Sequence, residues 1–237
     1  MGAISAALQV CRQRISTACA TSGRGPDCTH LLAVSKTFPA SAIREAYAAG
    51  QTRFGESYVQ EAVDKLAELA DLPLEWHFIG PLQSNKTRAV AERFLWVHSV
   101  DREKIARRLS EQRPAHLPPL NVCLQVNISG EASKHGVAPD AALALARTVS
   151  QLPRLRLRGF MAIPEATSDL ALLRERFHQV AALLANGQAM GLDLDTLSMG
   201  MSGDLEAAIQ EGATMVRVGT AIFGARHSLN SAQEPTT

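Results

Sequence analysis

The sequence is sparing with several residue types. Aromatic residues make up 5% of its 237 positions, with two tryptophans and two tyrosines. Lysine occurs only at positions 36, 65, 86, 104 and 134. The four cysteines, Cys11, Cys19, Cys28 and Cys123, form no CxxC pair and have no histidine cluster beside them. This weighs against both a disulfide framework and a zinc site, and the thiols read as reduced and mostly buried. Neither sign of charge prevails: 24 Lys and Arg face 23 Asp and Glu, a formal net charge of +1. No global field therefore draws the chain to nucleic acid or an anionic membrane. The apolar stretch "AISAALQV" is too short to cross a bilayer and has no basic segment before it. Neither a membrane span nor a secretory signal is expected, and the chain reads as cytoplasmic. Gly-rich phosphate loops of the GxGxxG and GxxxxGK[ST] kinds are absent, which weighs against an open nucleotide-binding sheet.

What is present is a regular alternation. Ile4, Leu8, Cys11 and Ile15 form one helical stripe, which "TSGRGPD" breaks with two glycines and a proline. Eight strand-like runs follow: "HLLAVSK", "TRFGE", "EWHFIG", "FLWVHSV", "LNVCLQVNI", "LRLRGFMAI", "DTLSMG" and "TMVRVG". Seven helical segments lie between them, joined by short connections. Strands separated by helices pair in parallel, and eight such units in this length predict an α/β fold, a single (β/α)8 barrel. The expected division is an N-terminal helix over 1–20, a barrel over 30–226 and a polar tail over 227–237, in one domain.

In such a barrel, sites form where strands end and the following loops begin. Lys36 closes the apolar run "LLAVSK", where an unpaired ammonium is costly to bury and an amine that sheds its proton is a nucleophile. A lysine snorkelling at the barrel rim is the plainer reading. The seventh and eighth units end in "SMGMSGD" and "RVGTAIFGAR". Ser198, Gly200, Ser202, Gly219 and Thr220 there offer hydroxyls and close-approach backbone before helix starts, which suits a phosphate, although Ser202 and Thr220 would serve equally as helix caps. Arg217 alternates with Val216 and Val218, so it should point into the barrel mouth if the valines face the helices. A structural ion pair is the simpler role for it. An aldehyde carrying a phosphate and a ring acceptor would satisfy the amine, the anion cradle and the arginine together, and pyridoxal 5′-phosphate (PLP) is such a molecule.

Longer segments carry a resemblance. "AVSKTFP", "FGESYVQEA", "WHFIGPLQSNKTR", "VHSVDR", "VNISGEASKHGV", "LRGFMAIP" and "LSMGMSGDLEAAIQEGATMVRVGTAIFGAR" resemble the pyridoxal phosphate homeostasis proteins, from about His30 to Arg226. That family is similar to the barrel of alanine racemase, a fold-type III vitamin B6 protein, without its C-terminal β-domain. The resemblance implies that Lys36 holds PLP as a Schiff base and that Ser198, Ser202, Gly219 and Thr220 belong to the phosphate-binding stretches. It further implies that Arg217 faces the pyridine nitrogen and that His77 and Ser57 line the pocket at strand ends. Ser57 departs from the Asn usual after "FGE".

The implied role is a carrier or buffer of PLP in vitamin B6 homeostasis, with little or no catalysis. Apo PLP-dependent enzymes are its prospective partners and a monomer its expected state. A cationic arginine at the pyridine nitrogen disfavours its protonation and makes the ring a shallow electron sink. Racemisation survives this, but only with an acid/base group on each face of the substrate; in alanine racemase the second is a tyrosine on the β-domain. Tyr47 falls mid-helix, and Tyr58 opens the second helix of the alternation near the strand ends, where it could approach the site; packing is the expected role of both. A PLP-dependent racemase is one alternative function, and a Schiff-base enzyme acting on phosphosugars without a cofactor is another.

Overall fold

The computed structural model describes residues 2–131 and 134–225. Helix α1 (Ala3–Thr21) comes first, followed by β1 (His30–Val34), α2 (Ala40–Ala48), β2 (Arg53–Glu56), α3 (Val59–Glu68) and β3 (Glu75–Phe78). A 3-10 turn leads into α4 (Thr87–Arg93), then β4 (Trp96–Val100), α5 (Glu103–Gln112), β5 (Leu120–Val126), α6 (Pro139–Ser150) and β6 (Leu155–Ala162). The last elements are α7 (Leu170–Ala189), β7 (Thr196–Ser198), α8 (Leu205–Gln210), β8 (Met215–Val218) and α9 (Thr220–Phe223). The eight strands form a closed barrel in chain order, every neighbour parallel, with β8 closing on β1 through the Leu32–Arg217 register. The expected tail over 227–237 lies outside the described residues.

The alternation of each strand sorts its side chains into two environments. One set, including Ala33, Phe54, Phe78, Val97, Val122, Phe160, Val216 and Val218, joins the main apolar core, together with helical residues such as Ile43, Ile105 and Phe177. Each fully buried phenylalanine or leucine there contributes about 1.5–3 kcal/mol of transfer free energy. The other set fills the barrel interior. Trp96, Cys123 and Met161 form a small apolar cluster of their own, and the His77 ring stacks on Trp96 at 5.3 Å between centroids. Interior positions of a small barrel are filled by side chains rather than left as a pore. Here many of them are polar, and these lead to the site.

Helix α1 covers one flank. Its predicted stripe is buried at Leu8, Cys11 and Ile15, with Ile4 packed at the edge. It also reaches the loop after β7: Arg14 donates to both carboxylate oxygens of Glu206, at 2.7 and 2.8 Å, and to the Ser202 carbonyl at 3.0 Å. Among the described residues, no helix is long and apolar enough to cross a membrane.

Candidate functional site

Strand β1 ends at Val34, and Lys36 sits half-buried in the turn that follows. That turn is strained and tightly held. Thr37 takes a left-handed φ of 69°, a conformation that costs a β-branched residue on the order of 1–3 kcal/mol. Its N–H donates to Glu61 Oε1 at 2.6 Å. Beneath it, Ser35 donates to Glu56 Oε1 at 2.7 Å. Lys65, on α3, donates to the Ser35 carbonyl at 2.8 Å, to Glu56 Oε1 at 2.8 Å and to Glu61 Oε1 at 2.5 Å. The lysine sealed into the protein is therefore Lys65, 7% exposed, and its ion pairs fix the backbone on which Lys36 is presented. Burial raises the Glu56 carboxyl above its ordinary value, against the lowering effect of the Lys65 ammonium.

The β7 and β8 loops come to the same end of the barrel. Thr220 Oγ1 lies 3.3 Å from Ser202 Oγ, so the two hydroxyls form one patch. The N-cap of α8 is Asp204 and that of α9 is Gly219, so neither hydroxyl occupies a cap position. A Cβ at Gly219 would stand 3.2 Å from the Val34 carbonyl, so this loop runs against the end of β1. The rings of Phe38 and Phe223, 5.1 Å apart, join the Lys36 loop to α9. Gly200 has a φ of 94°, and a Cβ there would stand 2.6 Å from the Ala208 Cβ; only glycine lets the β7 loop turn down onto α8.

Arg217 points into the barrel as its alternation with valines predicts. Its Nη1 donates to the Ser198 carbonyl at 2.5 Å and to Ser198 Oγ at 2.9 Å, and its Nη2 to the Ala162 carbonyl at 2.9 Å. Ser198 thus turns its hydroxyl inward to Arg217 rather than outward to the Ser202–Thr220 patch. His77 is also deeper than the strand-end position expected of it. It is fully buried, with Nδ1 2.9 Å from His98 Nε2 and Nε2 2.8 Å from Glu75 Oε1. His98 Nδ1 lies 2.7 Å from Ser198 Oγ.

These contacts have one consistent proton order if both imidazoles are neutral. Arg217 donates to Ser198, Ser198 to His98 Nδ1, His98 Nε2–H to His77 Nδ1, and His77 Nε2–H to Glu75. Every donor points the same way, from the upper end of β8 down to the first residue of β3. Burial holds both histidines below the ordinary 6.5, His98 well below it, where His77 and the Arg217 charge add to the effect. Burial lowers the Arg217 guanidinium to about 10, so it stays cationic at neutral pH.

A pH dependence follows. An unfolded His98 takes up a proton near pH 6.5 that the folded one refuses, so stability falls as pH drops below that value, by up to about 1.4 kcal/mol per pH unit for this one group. His77 adds to the loss, whereas Glu56, raised by burial, opposes it because the folded chain binds its proton first. The thermal midpoint is expected to be lower at pH 5.5 than at 7.5, and His98→Asn should flatten that slope. An unchanged slope in the variant would place the acid sensitivity elsewhere.

Ser57 lies on the rim rather than in this interior line. It borders a cavity of about 370 Å³ with Tyr58, Leu82, Lys86, Arg102 and His135, above β2, β3 and β4. A larger hollow of about 460 Å³ opens at the opposite, N-terminal mouth. Its charges are already satisfied by the Arg53–Glu75 and Arg158–Asp195 pairs. The structure therefore brings Lys36, Ser202, Gly219 and Thr220 to one end of the barrel, with Arg217 and Ser198 one layer beneath. His77 lies deeper still, and Ser57 to one side.

Sequence reasoning missed Lys65, Arg14 and His98. Only His98 left a readable signal: it alternates with Val97 and Ser99 in an apolar strand, the same pattern that marks Arg217.

Comparison with known proteins bears on the family and the fold. Residues 8–227 match the family model described as alanine racemase, N-terminal domain. The pyridoxal phosphate homeostasis protein of Pseudomonas aeruginosa is 67% identical over 213 residues, 90% of this chain and 91% of that one. PipY of Synechococcus elongatus, solved with PLP bound, is 43% identical with a TM-score of 0.77, covering 89% of this chain and 100% of that one. The alanine racemase of Corynebacterium glutamicum shares the fold, with a TM-score of 0.72 at 16% identity over 94% of this chain and 61% of that one. On this agreement of sequence and barrel, the chain belongs to the pyridoxal phosphate homeostasis proteins, a family built on the alanine racemase N-terminal domain.

Proposed function

We propose that this chain binds pyridoxal 5′-phosphate on Lys36 and acts in vitamin B6 homeostasis, as a cytoplasmic monomer that stores the cofactor and releases it to apo-enzymes. The residues fit the group. The Ser202 and Thr220 hydroxyls, 3.3 Å apart, suit a phosphate, and the loop at Gly219 sets them beside the end of β1 that precedes Lys36. When bound, PLP supplies an aldehyde that condenses with an amine and a ring that takes up electron density.

Arg217 weighs against chemistry on PLP that needs a deep electron sink, whereas racemisation survives a shallow one and depends on a second acid/base group. The Arg217 guanidinium, near 10, keeps its proton at neutral pH and would offer none to a ring nitrogen held beside it, as the resemblance implies. A ring so placed would be a shallow electron sink, which racemisation tolerates and carbanion chemistry that relies on ring protonation does not. The fixed chain of donors from Arg217 to Glu75 holds this charge in place without a titratable step near pH 7. Of the two tyrosines, Tyr47 packs against the core, whereas Tyr58, expected to pack, is 53% exposed on the rim cavity beside Ser57 and is the residue on which the racemase alternative would depend.

Two measurements test this. Loaded protein mixed with an apo PLP-dependent enzyme should restore that enzyme's activity, while leaving the D/L ratio of free amino acids unchanged. Turnover of D- or L-amino acids at ordinary enzyme rates would overturn the carrier reading. Arg217→Gln is expected to shift the cofactor's absorbance while retaining binding. An unchanged spectrum would show that Arg217 does not reach the ring.

A further inference from the structure

Cys19 and Cys28 meet at the base of the barrel. Cys19 is fully buried in the last turn of α1, and Cys28 lies half-buried in the loop before β1, where it lines the N-terminal cavity. Their Sγ atoms are 2.9 Å apart, less than an ångström beyond the ~2.05 Å of an S–S bond. The intervening loop is held in place. The Arg24 N–H donates to the Cys19 carbonyl at 2.9 Å, and its guanidinium to the Ile209 and Ala213 carbonyls at 2.8 and 2.9 Å. The Cys28 N–H donates to the Gly25 carbonyl at 3.1 Å, and Thr29 Oγ1 to Ala213 at 2.7 Å. The other two thiols are placed differently: Cys11 is buried beneath α1, and Cys123 sits in the barrel interior with Trp96 and Met161. Among the described residues, no group of three or more His, Cys, Asp or Glu side chains is placed to hold a metal ion, so the pair is not part of a larger ligand set.

We propose that Cys19 and Cys28 are a modification site, a dithiol that closes reversibly to an intramolecular disulfide under peroxide. The two thiols have different parts. Burial pushes the Cys28 thiol up, but hydrogen bonding with Cys19 and Thr29 and the Arg24 charge outweigh it and leave the group below its ordinary value. Burial, followed by the hydrogen bond with Cys28, holds Cys19 above its ordinary value. Cys28 is also the less buried of the two, so its thiolate attacks hydrogen peroxide. The O–O bond breaks, the Cys28 sulfur gains a hydroxyl, and hydroxide leaves and takes a proton to become water. The Cys19 sulfur then attacks the Cys28 sulfur. The S–S bond forms, the S–O bond breaks, and a second water departs with the Cys19 proton. Two thiols are oxidised and one peroxide is reduced to two waters. A dithiol reductant reverses the link by thiol–disulfide exchange.

The test uses full-length protein treated with a small excess of hydrogen peroxide, then denatured, alkylated and digested without reductant. Trypsin cuts after Arg24, so the expected product is the Ile15–Arg24 peptide joined to the Gly25–Lys36 peptide. Dithiothreitol should separate the two and restore alkylation of both cysteines. Cys28→Ser and Cys19→Ser should each abolish the linked species; their circular dichroism reports whether they fold. Recovery of Cys19 as a labelled thiol, with Cys28 either free or oxidised to the sulfonic acid, would overturn the proposal. So would linkage of Cys28 to Cys11, to Cys123 or to a second copy of the chain. The readout is independent of cofactor binding.

Discussion

Lys36→Ala is expected to give a folded protein that stays colourless in the presence of PLP. Wild-type protein should absorb in the visible, and a ligand present at 100 times its dissociation constant should stabilise it by about 2.7 kcal/mol. The variant should lose both effects. It should still fold without cofactor, because the backbone of the Lys36 turn is held by Ser35, Glu56, Glu61 and Lys65. Circular dichroism, absorbance and melting with and without PLP separate the two contributions. Retained visible absorbance at wild-type occupancy would mean that the wrong amine has been chosen.

Lys65→Met should behave in the opposite way. Lys65 and Glu56 are an ion pair 8% and 0% exposed in their side chains, so removing one partner strands the other in the protein. Breaking a buried pair from one side costs about 3–5 kcal/mol, several times what an exposed pair is worth. The Lys65 ammonium also carries one bond to the Ser35 carbonyl and one to Glu61, which in turn holds the Thr37 N–H. A large loss in urea denaturation is therefore expected, along with weaker PLP retention through a loosened Lys36 turn. Adding Glu56→Gln should recover part of the stability, because it removes the stranded charge. A loss below about 1 kcal/mol in the single variant would show that the pair is solvated in solution.

The two lysines show what was legible in the sequence. The barrel was, because period-two apolar runs alternating with helical segments have few other solutions. Arg217 was, because a charged residue flanked by valines in a buried strand must face inward. His98 carries the same mark within "VHSV", yet it takes on a role only through Ser198, a hundred residues away, where the strands meet across the interior. The sequence offers Ser198 with Ser202 as a hydroxyl before a helix start, and the resemblance implies the same phosphate-binding stretch. As the last residue of β7 it obeys the strand's alternation instead, and turns inward. Lys65 looks like an ordinary exposed helical lysine, and its Glu61 contact, one turn away, is the only local one. Its other partners, Ser35 and Glu56, are supplied by the turn after β1 and the end of β2. A buried ion pair assembled from three segments leaves no periodic trace, so the lysine that supports the site was less visible than the lysine that forms it.

The most direct measurement is borohydride reduction of the PLP-loaded protein, followed by intact mass and peptide mapping. One pyridoxyl phosphate group per chain, attached at Lys36, is the predicted result. Attachment at Lys65, Lys86, Lys104 or Lys134 instead, or a mass unchanged by reduction, would contradict it.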